Sequence, residues 1–465
     1  MLIVNGQIVH EDAVRYEDVR IRGEVIAEIA PSLSPQGDEQ VIDASGKVIL
    51  PGGVDVHTHM DLDLGSVRAT DDFYTGTVAA ACGGTTSIVD HMAFGPRGSS
   101  IRHQIETYHR LAEGKAVIDY GFHGVMDHVD NDILNEVESL ANEGITSHKI
   151  YLTYDGKVSD AEVLRLLEKA GELGIIIAVH AENDGAINYL REKFRSAGNT
   201  SPIYHARSRP PESEAEAVGR VAMLAAIAGD APVYIVHLSS GLGLDVIRTA
   251  RMRGQKNLFV ETCPQYLYLD ESLYLRYDGL KYIMSPPLRT AYDRGMLWEG
   301  VSGGNYANAA NRGSDIDVIA TDHCPFYYNR EKQRGIDDFT LAPGGAPGVE
   351  ARIPLMFCEI ASGRLTLQRL VTLCCANPAR LFGLYPKKGI IATGSDADLV
   401  LIDPEIKTAL THDMLHENCD YTPYEGFPLS GYPVVTISRG EIIARDGRFL
   451  GQKGRGVFLK RGLPL

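Results

Sequence analysis

Pro51-Gly52-Gly53-Val54-Asp55-Val56-His57-Thr58-His59 sets a tight turn, a short apolar run and two histidines one after another. If 54–56 is a strand, residues two apart project from the same side, so both imidazoles converge on one point. Paired neutral imidazoles are good ligands for zinc and similar divalent metals. Taken alone, such a pair is more often two surface or hydrogen-bonded histidines. Here His180, His237 and Asp322 each follow an apolar, strand-like run of their own.

Working outward from the pair, apolar runs recur at 54–56, 86–89, 116–120, 147–152, 175–179, 233–236, 258–261 and 316–320. Helix-like amphipathic stretches lie between them, as at 162–173, 214–228 and 242–253. Eight strands alternating with helices predict an α/β fold of the (β/α)8 barrel type, in which buried parallel strands read as continuous apolar runs. The flanks differ. The first fifty residues read as short strands at 2–9, 19–29, 41–42 and 48–49, and β character returns after Phe382, with strands at 398–402 and 434–438. The two flanks are expected to pair into one small discontinuous β-sandwich domain, giving 1–50, a barrel over 51–388, and 389–465.

Composition excludes several classes. A formal charge of -16, with Lys and Arg scattered, leaves no broad basic surface for nucleic acid or anionic lipid. The basic stretch 453–461 reads as solvated. No 18-residue apolar run and no basic, cleavable N-terminus appear, so neither a membrane nor export is expected. Seven cysteines, an odd number without C-x-x-C spacing, fit reduced thiols in a cytoplasm.

Barrel active sites sit at the C-terminal ends of the strands. His57 and His59 end the first run, Lys149 lies in the fourth, His180 ends the fifth, His237 the sixth, and Asp322 follows the eighth. Four histidines and an aspartate in those places point to a metal site. They overfill one catalytic zinc, which keeps three protein ligands and an open position, and underfill two. A bridging group is needed. Lys149 is costly on a buried strand unless paired. It is either an inward ion-pair partner or, if burial neutralises the amine, a lysine able to add carbon dioxide and bridge two ions as a carbamate.

Six ordered motifs carry a resemblance over nearly the whole chain. They are the opening Pro51 to His59 stretch, Lys149-Ile150-Tyr151-Leu152-Thr153-Tyr154, Val179-His180-Ala181-Glu182-Asn183, Val236-His237-Leu238-Ser239, Ser285-Pro286-Pro287-Leu288-Arg289 and Ala320-Thr321-Asp322-His323-Cys324-Pro325. With the tail Gly394-Ser395-Asp396-Ala397-Asp398-Leu399-Val400, the chain resembles the hydantoinase and dihydropyrimidinase branch of the cyclic amidohydrolases. The overall likeness leans towards bacterial D-hydantoinases of the phenylhydantoinase kind.

The resemblance implies two divalent metals, zinc before manganese, and an N6-carboxylated Lys149. One metal would take His57, His59, Lys149 and Asp322, and the other His180, His237 and Lys149, with a hydroxide bridging both. Asp322 would be the general base and then the acid, and Tyr154 the oxyanion donor. The main chain at Ser285 and at Gly344, where relatives carry Asn, would hold a cyclic ureide. The implied reaction is hydrolysis of a cyclic amide: 5-monosubstituted hydantoins to N-carbamoyl amino acids, or dihydropyrimidines to N-carbamoyl-β-amino acids. A homotetramer is implied, with the tail from Cys419 to Leu465 able to reach a neighbour.

Neighbouring activities are disfavoured. Dihydroorotases place an Arg two residues beyond the second histidine for the substrate carboxylate, and Asp61 there would repel it. The run typical of allantoinases after the histidine pair is missing. Non-catalytic dihydropyrimidinase-related scaffolds typically lack the metal ligands, and this chain keeps all six. Gly241-Leu242-Gly243 falls short of a dinucleotide motif. The loops Leu62-Asp63-Leu64-Gly65 and Met92-Ala93-Phe94-Gly95 are candidates to line a hydrophobic pocket, and 305–312 reads as a surface excursion.

Overall fold

The computed structural model describes residues 1–303 and 315–464, so the excursion expected at 305–312 lies outside the described residues. Eight parallel strands follow one another in sequence order. They are β1 (Gly53–Thr58), β2 (Thr85–His91), β3 (Asp119–Val125), β4 (Ser147–Tyr151), β5 (Ile176–His180), β6 (Val233–Ile235), β7 (Leu258–Thr262) and β8 (Val318–Ile319). Together they form a nearly closed (β/α)8 barrel.

Closure between the first and last strands happens at the chemically interesting residues. Asp322 N–H donates to His57 O at 2.9 Å, and His59 N–H donates to His323 O at 2.9 Å. Below this pair, Arg352 Nη1 donates to Val54 O and Ile319 O at 3.0 and 2.9 Å, while Thr321 Oγ1 donates to Asp55 at 2.7 Å. A fully buried arginine thus clasps the seam. Inside the barrel Val54, Val56, Val89, Ile176, Tyr234 and Val318 form an apolar plug, floored by Phe382 and Leu459.

Helix starts follow local chemistry. The helix Asp160–Leu173 opens on a reciprocal Ser159–Glu162 capping box and stops at Gly174, whose φ of 68° suits glycine. The cap sets its start two residues before the apolar pattern at 162–173. The third strand moves further, from the expected 116–120 to Asp119–Val125. Ala116 to Ile118 are apolar because they are buried, and the Ala116 carbonyl accepts from Gly456 N–H. Gly121, His123 and Gly124 interrupt the apolar signal of the true strand.

The terminal sheets combine both ends of the chain. A seven-stranded sheet sets Leu399–Ala409, Pro428–Ser438, Glu441–Arg445 and Arg448–Phe449 beside Val48–Pro51, Gln7–Val9 and Val14–Tyr16. A four-stranded sheet is built from 2–43 alone. The stretch 19–29 is two strands turning at Gly23, not one, and 2–9 splits between the sheets. Ile3, Ile8, Val19, Ile49, Leu399, Leu401 and Ile437 share one core.

One expectation about the tail is corrected. Residues after Gln452 fold back on their own barrel: Tyr120 N–H donates to Val457 O, Leu459 N–H to Tyr120 O and Arg461 N–H to Gly144 O. The basic stretch there is not simply solvated, because Arg461 is 4% exposed and donates to Phe122 O, and Arg455 donates to Val117 O and Ser438 O. Main-chain carbonyls at the barrel's edge take the place of water. Among the described residues no helix is long and apolar enough to cross a membrane.

Candidate active site

The strand ends bring the predicted residues together. His57 Nε2 and His59 Nε2 lie 3.1 and 3.2 Å from one Asp322 oxygen. These three form a group whose ligand atoms could hold a metal ion. The rings of His57 and His237 are 5.3 Å apart, and those of His180 and His237 4.6 Å. All four histidines are buried, as is Lys149, whose ammonium sits 5.1 Å over the Tyr151 ring. Tyr154 stands at the mouth, 36% exposed, its ring 5.2 Å from that of His180.

Backbone strain concentrates here. Asp61, Tyr154, His237 and Asp322 all have positive φ, at 55°, 72°, 39° and 54°. Side chains other than glycine rarely adopt that region, and such outliers cluster at functional sites.

Charge explains how the groups titrate. Burial disfavours the charged form of every imidazole. For His59, His180 and His237 it prevails and the pKa falls, well below the ordinary value for His237. For His57 the Glu261 and Asp322 carboxylates outweigh burial and lift the pKa to about 9. Burial would raise Asp322, yet the imidazoles of His57, His59 and His237 hold it well below the usual carboxylate range. Burial presses Lys149 down to about 8 against the pull of Asp322 and Glu261. Neither carboxylate pairs with it directly: among the described residues Lys149 has no ion pair. The hydroxyl end of Tyr154 lies deep enough that burial raises its pKa, opposed by the Arg209 guanidinium.

Three supporting residues escaped the sequence reading. Glu261, at the end of β7, accepts from His57 Nδ1 at 2.6 Å, from the His237 N–H at 2.9 Å and from the Tyr234 hydroxyl at 2.8 Å. Its signal was a carboxylate ending an apolar run, the pattern that marked the others. Glu182 accepts from His180 Nε2 at 2.7 Å and pairs with Arg209, whose guanidinium lies 5.3 Å over the Tyr154 ring. Glu182 sat inside a quoted motif, whereas nothing in the sequence marks Arg209.

These partners leave imidazole nitrogens aimed inward. His237 Nδ1 is buried without a hydrogen-bond partner, and His57 Nε2 faces only the Asp322 oxygen that would share a cation with it, as donor atoms awaiting a cation would be. The donor set therefore fits divalent metal. A second group, Cys82, Glu350 and His416, fits less well. His416 already occupies the Glu350 carboxylate at 2.9 Å, and burial pushes the Cys82 thiol up.

The chain belongs to the amidohydrolase family. Its model matches residues 48–443. Among curated amidohydrolases the chain is 51% identical to a D-phenylhydantoinase of Escherichia coli O1:K1 over 462 residues, 99% of this chain and 98% of that protein. Among solved structures it superposes on dihydropyrimidinase from Brevibacillus agri NCHU1002 with a TM-score of 0.95 at 41% identity, covering 100% and 99% of the two chains. D-hydantoinase from a Bacillus sp. AR9 gives 0.94 at 42%, covering 99% of each.

The remaining predicted residues frame this amidohydrolase site. A Cβ built on Gly344 would lie 3.1 Å from Ser285 Oγ, so the two expected clamp segments face each other closely. Phe94, Tyr151, Tyr154 and His180 form a chain of ring contacts at 5.1, 6.0 and 5.2 Å, which ties the loop after β2 to the site. Leu64 is 51% exposed and Leu62 buried. The Asp61 carboxylate accepts from Phe73 N–H at 3.2 Å, so it also anchors its own loop. Gly241 is no phosphate loop: Asp293 and Ser240 accept from the N–H groups of Gly241 and Gly243.

Proposed function

We propose that this protein hydrolyses the ring amide of 5-monosubstituted hydantoins, as a D-hydantoinase of the phenylhydantoinase kind, to N-carbamoyl amino acids. The observation that carries the reading is the convergence of His57, His59, Lys149, His180, His237 and Asp322 at one barrel mouth. End-to-end similarity to a D-phenylhydantoinase supports the substrate. Dihydropyrimidine hydrolysis is the second reading, favoured by the match to a dihydropyrimidinase.

In this reading His57, His59, Asp322 and Lys149 hold one divalent ion, and His180, His237 and Lys149 another, zinc before manganese, with Lys149 carboxylated. A lysine pressed towards the neutral amine, and lacking an ion pair, supports that modification. Bound ions supply Lewis acidity to a water and to the substrate carbonyl. The chain's own groups do the rest. Asp322, ionised at neutral pH, takes the proton of the attacking water and returns it to the departing ring nitrogen. Tyr154, kept protonated, donates its hydroxyl to the carbonyl oxygen as charge develops there. The main chain at Ser285 and Gly344 orients the ureide, and the Phe94–Tyr151 contact offers an apolar wall to a ring substituent.

Seven free thiols support a cytoplasmic location, and family resemblance supports a homotetramer. A kinetic panel tests the substrate: 5-phenylhydantoin should lead over hydantoin, dihydrouracil, allantoin and dihydroorotate, with the D enantiomer preferred. A lead for dihydroorotate or allantoin would overturn the reading.

A further inference from the structure

Lys332 is fully buried, yet no carboxylate balances its charge among the described residues. Its ammonium donates to three main-chain carbonyls, Ile283 O at 2.6 Å, Pro343 O at 2.9 Å and Gly345 O at 2.6 Å. All three N–H groups are thereby used. Burial presses its pKa to about 7, so keeping a cation there is costly, and the three carbonyls it satisfies are what hold it.

The three carbonyls belong to the segments that flank the ureide position. Ile283 lies two residues before Ser285, while Pro343 and Gly345 bracket Gly344 on either side. The segments also bond directly, Gly345 N–H to Ile283 O at 3.1 Å. Glycine at 344 brings backbone freedom that a binding loop must lose. A cation gripping the carbonyls immediately before and after Gly344 removes that freedom without a side chain at the position. The neighbouring Gly345 has to be glycine, because at its φ of 151° a Cβ would strike the Cys324 carbonyl.

We propose that Lys332 is a positioning residue for ring recognition, setting the separation and orientation of the 283–285 and 343–345 main chains between which the cyclic ureide binds. This rests on the hydantoinase reading. It predicts a specificity signature. The lysine acts on contacts to the ring common to all substrates, while an aryl substituent keeps its own contacts near Phe94 and Tyr151. Removing it therefore harms an unsubstituted ring more than a 5-aryl one.

Lys332→Met and the milder Lys332→Gln, purified with metal content measured, are compared with wild type on dihydrouracil, hydantoin and 5-phenylhydantoin. Expected in Lys332→Met is a fall in kcat/KM of up to about 10²-fold for the unsubstituted rings, the scale of a small misplacement. The fall should appear mainly in KM, be smaller for 5-phenylhydantoin, and leave the metal content of wild type. Lys332→Gln should fall between. Equal losses on all three substrates, or none, would overturn the inference. If both variants misfold, Lys332→Arg, which keeps the cation but changes its reach, decides through hydrogen exchange of the Gly345 amide: exchange faster than in wild type supports the clamp, and exchange equal to wild type refutes it. Wild type that opens none of the rings would instead defeat the hydantoinase reading, with the exchange result on the clamp still standing.

Discussion

His57 Nδ1 lies 2.6 Å from Glu261 Oε1, and that contact decides which face of the imidazole is free. With Nδ1 engaged by a carboxylate, Nε2 turns towards Asp322, and the imidazole gains basicity as a donor. The same Glu261 oxygen accepts from the His237 N–H, so one side chain on β7 sets a residue on β1 and one just after β6. Glu261→Gln should keep the fold and lower metal affinity by about 10- to 100-fold. Metal titration beside kcat measures it, and wild-type affinity would remove Glu261 from the site's support.

The barrel was legible because parallel strands buried on both faces have to be apolar, and the ligand candidates because each ends such a run. The third strand was misplaced where burial came from the C-terminal tail rather than from a ladder. Glu261 obeyed the strand-end rule and was still passed over, since a lone carboxylate without a histidine beside it gives no metal signal. Lys332 was illegible for a different reason. Its partners are carbonyls, present at every residue, brought together from positions 283, 343 and 345 only by the fold. The terminal strands were coarser still, because 2–9 and 19–29 each hid a turn.

Lys149→Ala tests the proposed bridge. Metal content and activity should fall together, and short carboxylic acids should restore part of both by supplying the missing oxygens. For wild-type apoprotein the sign with pH follows from the depressed lysine pKa: the neutral amine that reacts with carbon dioxide is the minor form below about 8 and the major form above it. Reconstitution with metal and bicarbonate should therefore quicken as pH rises towards 8. Full activity in Lys149→Ala would refute the bridge.

Asp322→Asn keeps size and removes the base. Because His57 and His59 both face the same Asp322 oxygen, some metal loss is expected alongside the chemistry. In protein loaded to the wild-type metal content, kcat should still fall by about 10²- to 10⁴-fold, the range for a lost general base. A kcat unchanged at full metal loading would leave Asp322 as a ligand only.

Glu417 supplies a pH dependence set apart from catalysis. Its carboxyl is buried beside Glu350 and Asp71, with His323 Nδ1 3.7 Å away, and burial lifts its pKa from the usual 4.5 to about 7. Between those values the folded chain holds a proton that the unfolded chain has lost, so folding stability falls as pH rises through the window. The contribution is fully present below about 4.5 and gone above about 7, and the step from pH 5 to pH 8 costs about 2 to 3 kcal/mol. Glu417→Gln keeps the neutral form at every pH. Thermal unfolding at both pH values should show wild type losing more stability than the variant across the step, and parallel losses would mean that Glu417 is not the group that titrates.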